Sequence, residues 1–167
     1  VFTDSYLREH FNREYFKDQQ TILPKDGQKV KAVFQQEQAP AGFGRGAQAP
    51  EKPEVKTVTQ TLTWHALDSE NFNVKLFRFA EKWGTKVYGV LFWGVTIIDC
   101  PEEIKDVRLA VGSNSASMWW LNGQEVLLLS GDRRMVEDDC MSQRLTLKKG
   151  RNILRGAIIN GPGMSDF

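Results

Sequence analysis

The run Val87–Ile98 (VYGVLFWGVTII) constrains this chain most strongly. Its residues are almost all β-branched, aromatic or aliphatic, which suits a strand buried on both faces at the centre of a sheet. It falls well short of the ~18 uninterrupted apolar residues of a membrane-spanning helix. The sequence after it is punctuated for further strands. Asp106–Val111 reads as one. Ser117–Leu121, then Asn122-Gly123, then Glu125–Leu129 reads as a hairpin, because Asn-Gly supplies the two positive φ values of a tight type I′ turn. Gln143–Leu147, a turn at Lys148–Gly150, and Asn152–Ile159 read as a second hairpin-like pair. Turns recur every ~8–15 residues with no helical pattern after residue 80, which is the signature of a β-sandwich or barrel.

The beginning of the chain differs. Tyr6, Leu7, His10, Phe11, Tyr15 and Phe16 are spaced for an amphipathic helix, with Asp4 or Ser5 as its N-cap. Val30–Phe34 reads as a short strand. Residues 35–56 (QQEQAPAGFGRGAQAPEKPEVK) hold too little apolar area to offset the entropy of ordering, so a long loop is expected. Gly42-Phe43-Gly44-Arg45-Gly46 lacks the third glycine of a dinucleotide fingerprint and any strand–helix context. Val58, Gln60, Leu62 and Trp64 alternate as in a strand, and Val74–Phe79 suits a strand or a turn of helix. The expected organisation is an arm over 1–34, a Gln/Gly/Pro-rich loop over 35–56 and a β-domain over 57–167, with its last strand missing.

Charge narrows the function only by exclusion. In 167 residues, 22 Lys and Arg stand against 21 Asp and Glu, a balance that does not suggest a dedicated nucleic-acid binder. Cys100 and Cys140 are too few for a disulfide scaffold or a four-cysteine zinc site, and leave open one disulfide or two thiols. A chain that starts at Val1 and stops in a loop at Phe167 reads as a piece of a longer polypeptide.

No catalytic constellation assembles. The sequence has no Gly-x-Ser-x-Gly elbow, Walker A loop or His-Glu-x-x-His. His10 sits in the expected helix and His65 beside Trp64, both as structural or surface residues. Glu102/Glu103 and Glu137/Asp138/Asp139 are clusters of neighbours, whereas glycosidase carboxyls face each other across roughly 5–9.5 Å.

The tryptophans carry more information. There are 5: Trp64, Trp83, Trp93, Trp119 and Trp120. Their faces stack on the apolar faces of sugar rings, and equally well fill cores. Trp93 belongs to the apolar run and reads as core. Trp119 and Trp120 are adjacent on one strand and point to opposite faces, so one is core and the other faces a groove or another element. Trp83, in a Lys-Trp-Gly-Thr turn, is a candidate exposed platform.

The segment Val107–Val126 (VRLAVGSNSASMWWLNGQEV), continued through Arg134, Asp139 and Leu147-Lys-Lys-Gly-Arg-Asn152, resembles the galactose-binding-like domains. These are jelly-roll β-sandwiches that include many carbohydrate-binding modules and the sugar-binding domain of family 2 glycoside hydrolases. Similar domains flank acetylxylan and feruloyl esterases. The resemblance is specific over about residues 105–155 and weaker from 60 to 167. The family pattern often carries Asp-Asp-Gly where this chain has Ser113-Asn114-Ser115. That departure removes two carboxylates and weakens any structural calcium there.

The resemblance implies an all-β jelly-roll sandwich, to which the helical spacing of the first residues adds an N-terminal helical arm. It implies a non-catalytic carbohydrate-binding module of a secreted, periplasmic or cell-surface polysaccharide-degrading enzyme, with xylan-type ligands favoured. Candidate ligand-binding residues are Trp83, Trp119, Trp120, Asn114, Arg134 and Asp139. For Arg134 and Asp139, an ion pair holding their loop is favoured over contact with a sugar. The expected partners are a poly- or oligosaccharide and a catalytic domain of the same polypeptide, without nucleic acid or membrane. No catalytic residue, metal ligand or cofactor is assigned, and structural calcium stays open. One alternative is a spacer domain that packs on a catalytic domain without touching sugar. The other is a fragment of a glycosidase or esterase.

Overall fold

A computed structural model describes residues 3–37, 55–85, 89–131 and 134–160. Most of the expected Gln/Gly/Pro loop, the Gly42–Gly46 run, Val87 and everything after Asn160 lie outside them. In chain order the elements are α1 (Asp4–Asn12), β1 (Lys29–Glu37), β2 (Val55–Thr63), α2 (Leu76–Lys82), β3 (Val90–Cys100), β4 (Ile104–Val107), β5 (Ala110–Val111), β6 (Ser117–Leu121), β7 (Gln124–Leu129), β8 (Cys140–Met141), β9 (Leu145–Leu147) and β10 (Gly150–Asn160). The chain is mostly sheet, in keeping with the all-β expectation. Contacts divide it into two compact units, Val1–Arg13 with Leu67–Phe167, and Glu14–Ala66.

The first unit is organised by a four-stranded antiparallel sheet in the order β3-β10-β6-β7. Strand alternation sends Met118, Trp120 and Ala157 to one face, and Trp119, Leu129 and Ile158 to the other. Each face has its own cover. Leu7 and Phe11 of α1 pack with Met118, Trp120 and Ala157, beside Leu91, Trp93 and Leu128. Leu76 of α2 and Val111 of β5 pack with Trp119, Leu129 and Ile158, beside Phe92, Leu109 and Cys140. Every residue of β6 is consequently buried.

The helix α1 forms where its spacing predicts, but its N-cap is Thr3 rather than Asp4 or Ser5. Thr3 is extended, and its Oγ1 accepts from the Tyr6 amide at 3.2 Å. Asp4 then occupies the first turn, where a carboxylate complements the helix dipole. Leu7 and Phe11, one turn apart, supply the apolar stripe. Tyr15 and Phe16 lie past its end, at Asn12.

Two strand expectations are corrected. The apolar run, as β3, is not central: among the described residues it pairs with β10 alone and forms an edge, with Ile97 exposed. The interior places go to β10 and β6, which have a covered face on each side. The pair 143–147 and 152–159 is not a hairpin either. β9 pairs with β4, and β10 joins the main sheet between β3 and β6. The expected strand 106–111 is also split. Asp106 has a positive φ of 59°, and the β4–β9 register shifts between Ile104 and Val107.

The Asn122-Gly123 hairpin forms as expected, with φ of 50° and 84° at the two turn residues and Leu121 paired to Gln124.

The second unit is a two-stranded ribbon, β1 against β2, in register from Lys29–Thr63 to Glu37–Val55. The strand expected over 58–64 forms as β2 and ends at Thr63, but its burial does not alternate, only Val58 being less than exposed, and its partner is β1. Phe16 bridges to Ala32 and meets Trp64 edge-on, ring centroids 5.8 Å apart. Reciprocal backbone bonds, Gly27 amide to Trp64 carbonyl and Trp64 amide to Gln28 carbonyl, close the open end.

Candidate functional site

The segment that carries the family resemblance is built around two buried polar networks. At one end of β6, the Trp119 indole donates to Ser117 Oγ at 3.1 Å, and Ser117 and Ser113 hydroxyls meet at 3.1 Å. Ser113 then donates to the Ser115 carbonyl at 2.6 Å. Each hydroxyl can donate once, so one consistent chain of donors runs from the indole to a backbone oxygen. Ser113, Ser115 and Ser117 are all buried. The hydroxyls of Ser113 and Ser117 are thus spent inside the protein, and Asn114, between the first two serines, is half-buried.

At the other end, Asn152 is fully buried. Its amide donates to the carbonyls of Lys148 at 2.8 Å and Gly150 at 3.2 Å, and its Oδ1 accepts from the Lys148 amide at 3.0 Å. Gly150, at φ 84°, supplies the left-handed turn this requires. The Gly-Arg-Asn turn of the motif is therefore a structural lock.

The six sequence-predicted ligand residues are spread over four places: β6 (Trp119, Trp120), the β5–β6 connection (Asn114), the β7–β8 connection (Arg134, Asp139) and the end of α2 (Trp83). Trp119 and Trp120 point to opposite faces, as alternation requires. Both are covered, at 7% and 3% exposed, because each face has its own layer. Trp120 lies 5.3 Å from Trp93, centroid to centroid. Neither offers a platform to solvent. Arg134 and Asp139 are exposed in the connection between β7 and β8, and no ion pair joins them among the described residues.

Trp83 is placed differently. It is the C-cap of α2, where its amide bonds to the Ala80 carbonyl and Gly84 follows at φ 65°. Thr85 Oγ1 bonds the same carbonyl at 3.0 Å. The turn holds Trp83 44% exposed, and Lys82 Nζ stands 5.4 Å from its ring centroid. Of the five tryptophans it is the exposed one.

Just before α2, the chain makes a concavity of about 330 Å³ lined by Ser69, Asn71, Phe72, Asn73, Lys75 and Arg78. None of the six candidates is among them. Phe72 is 71% exposed, more than any other large hydrophobic residue described. The Ser69 hydroxyl donates to the Asn71 carbonyl at 3.0 Å and shapes the turn. A readable signal was an aromatic residue set among Ser, Asn and Asn in a stretch with no strand pattern.

Arg155 was also missed. It is 1% exposed on β10, on the α1 side of the sheet, and its Nη1 is buried without a hydrogen-bond partner. Burial pushes its guanidinium below the usual arginine value. His10 is structural: its ring stacks on Tyr6 at 3.8 Å, and Nδ1 lies 2.8 Å from the Tyr6 carbonyl. Among the described residues, no three His, Cys, Asp or Glu side chains gather as a metal ion's ligands would.

Comparison with protein-family models, with curated proteins and with solved structures finds no match for this chain. Nothing in these comparisons identifies a galactose-binding-like domain.

Proposed function

We propose that this chain is a non-catalytic carbohydrate-binding module of the galactose-binding-like, jelly-roll type, working beside a catalytic domain of a secreted polysaccharide-degrading enzyme. The observation that carries the reading is the segregation of the tryptophans. Trp119 and Trp120 are committed to the core, while Trp83 is held in the open by a defined helix cap. An exposed indole offers its face to a sugar ring. The module acts by proximity, raising the effective concentration of the catalytic domain at its polymer. Plant cell-wall polysaccharide of the xylan type is the favoured ligand.

The spacer reading has one observation of its own. The β1–β2 ribbon leaves Val33 and Val55 exposed on one face, as a surface that packs on a neighbouring domain would, with Leu62 exposed on the other.

Affinity electrophoresis of the chain in xylan, mixed-linkage glucan, mannan and pectin separates the two. Retardation in one polymer, lost in Trp83→Ala with the circular dichroism unchanged, supports the module. Free migration in all four moves the assignment to the spacer.

A further inference from the structure

The Asn122-Gly123 turn carries a reactivity that its role as a hairpin does not use. At an Asn-Gly step the backbone attacks the side chain readily, because glycine has no Cβ to shield its amide nitrogen. The Gly123 nitrogen gives its proton to solvent and bonds to Asn122 Cγ. The Cγ–Nδ2 bond breaks, ammonia leaves, and a five-membered succinimide remains. Water then opens the ring at either carbonyl, giving aspartate or, with the chain rerouted through the side chain, isoaspartate. Asn122 and Gly123 are both exposed, so water reaches the turn. A Cβ built on Gly123 would meet nothing within 4 Å, so no neighbour blocks the ring from closing.

The fold holds Asn122 out of that reaction. The ring needs the Gly123 nitrogen on the same side as Asn122 Cβ, whereas a type I′ turn holds it nearly opposite, so the turn has to open first. Two side-chain bonds keep it closed. The Asn122 amide donates to Asn152, and its oxygen accepts from the Ile153 amide, which commits both groups to the start of β10. Each such bond shifts an equilibrium by about fivefold, so the two together make the reactive form about thirtyfold rarer. We propose that Asn122 is a latent deamidation site, kept shut by its two bonds to β10 and reactive only while the end of the hairpin is open. Conversion is one-way. A carboxylate at position 122 still accepts from Ile153 but sets an oxygen against Asn152 Oδ1. Asn152 cannot turn its amide to meet it without giving up Lys148 and Gly150. Isoaspartate also lengthens the backbone of the turn and upsets the pairing of Leu121 with Gln124. The converted fraction therefore records how often this end of the sheet has opened.

The test is peptide mapping by mass spectrometry of the full chain held in warm, mildly alkaline buffer, folded and in urea. Mapping separates Asn122 from the chain's other Asn-Gly step, Asn160-Gly161. Asn122 should convert at least about thirtyfold more slowly in the folded chain. Asn152→Ala removes one of the two bonds and should speed conversion of the folded chain about fivefold. Gly156→Ala strains the core at Trp119 without touching either turn, and should leave the rate nearly unchanged. Folded conversion at the urea rate, or equal acceleration by the two variants, overturns the proposal. If Asn152→Ala loses its circular dichroism, hydrogen exchange of the unaltered chain takes its place. The Ile153 amide is released only when Asn122 lets go, so its protection should not exceed the protection of Asn122 from conversion. An Ile153 amide protected far more than Asn122 would mean that attack proceeds with the bonds intact, and would overturn the proposal as well.

Discussion

The Asn122 side-chain amide donates to Asn152 Oδ1 at 3.0 Å, joining two turns that lie 30 residues apart. Asn122 is also locked to β10 by its own backbone amide, 2.8 Å from the Ile153 carbonyl, and by its Oδ1, which accepts from the Ile153 amide at 2.9 Å. The asparagine of the hairpin turn thus has two functions. It adopts the positive φ that a type I′ turn needs, and it staples that turn to the strand beside it.

Replacing Asn152 with alanine should therefore cost far more than a surface change. Its removal leaves the Lys148 amide and the carbonyls it served, all in part-buried bonds, without their partner, at about 1–3 kcal/mol for each group that water does not reach. A loss of about 3 kcal/mol in urea-denaturation stability is expected. Asn122→Ala should cost about 2 kcal/mol, part of it because alanine tolerates the left-handed φ of 50° less well than asparagine. The double variant should lose less than the sum, by about 0.5 kcal/mol or more. Strict additivity would mean that the two turns are held independently.

How far the sequence speaks is visible in this same pair. Asn122-Gly123 was legible as a turn because the requirement for positive φ is local. The staple was not, since it depends on β10 lying beside β6, a long-range pairing. The same limit explains the misplacement of the apolar run. Val87–Ile98 reads as a centre because it is apolar, whereas centrality depends on which strands have neighbours on both sides. For the candidate site, the exposure of Trp83 followed from its turn residues. The burial of both Trp119 and Trp120 did not follow, because α1 covers one of their faces from more than a hundred residues away in sequence.

Gly156 is fixed by Trp119. A Cβ on Gly156 would lie 2.6 Å from Trp119 Cζ3 and 2.8 Å from its Cε3. The indole is packed among Leu76, Leu129 and Ile158 and tethered to Ser117, so it has nowhere to swing. Gly156→Ala should destabilise by about 1–3 kcal/mol, the usual cost of overpacking a core. The penalty should shrink in a Trp119→Leu background, where the ring is gone. An equal penalty in both backgrounds would place the strain elsewhere.

The apolar contacts of α1 should outweigh its ion pair. Arg8 meets both oxygens of Glu125, at 3.0 and 3.2 Å, and this contact raises the arginine's pKa. The pair is solvent-exposed, however, and such pairs contribute little. Phe11 is fully buried against the sheet, so Phe11→Ala should cost about 3–5 kcal/mol. Glu125→Gln should be much milder and its effect should fade with added salt. A Glu125→Gln variant as damaging as Phe11→Ala would overturn this ranking.

Arg155 should be a liability rather than a support. Its guanidinium is buried on β10 with Nη1 unpartnered, and burial alone drives its pKa down. The sign follows from linkage. A cation whose pKa is lower in the folded state is held less readily by the fold than by the open chain. Arg155 thus subtracts from stability at every pH below its folded value, and that deficit lifts only as pH climbs through it, in strong alkali. Across neutral pH the deficit is constant, so a pH scan will not reveal it and substitution must. Methionine matches much of the stem and carries no charge, so the desolvation cost disappears while the packing beside Trp120 and Val95 is largely kept. Arg155→Met should leave the melting temperature unchanged or raise it, in the range of about 0–3 kcal/mol of added stability. A drop of several degrees would show that the guanidinium is held by an interaction worth more than its desolvation.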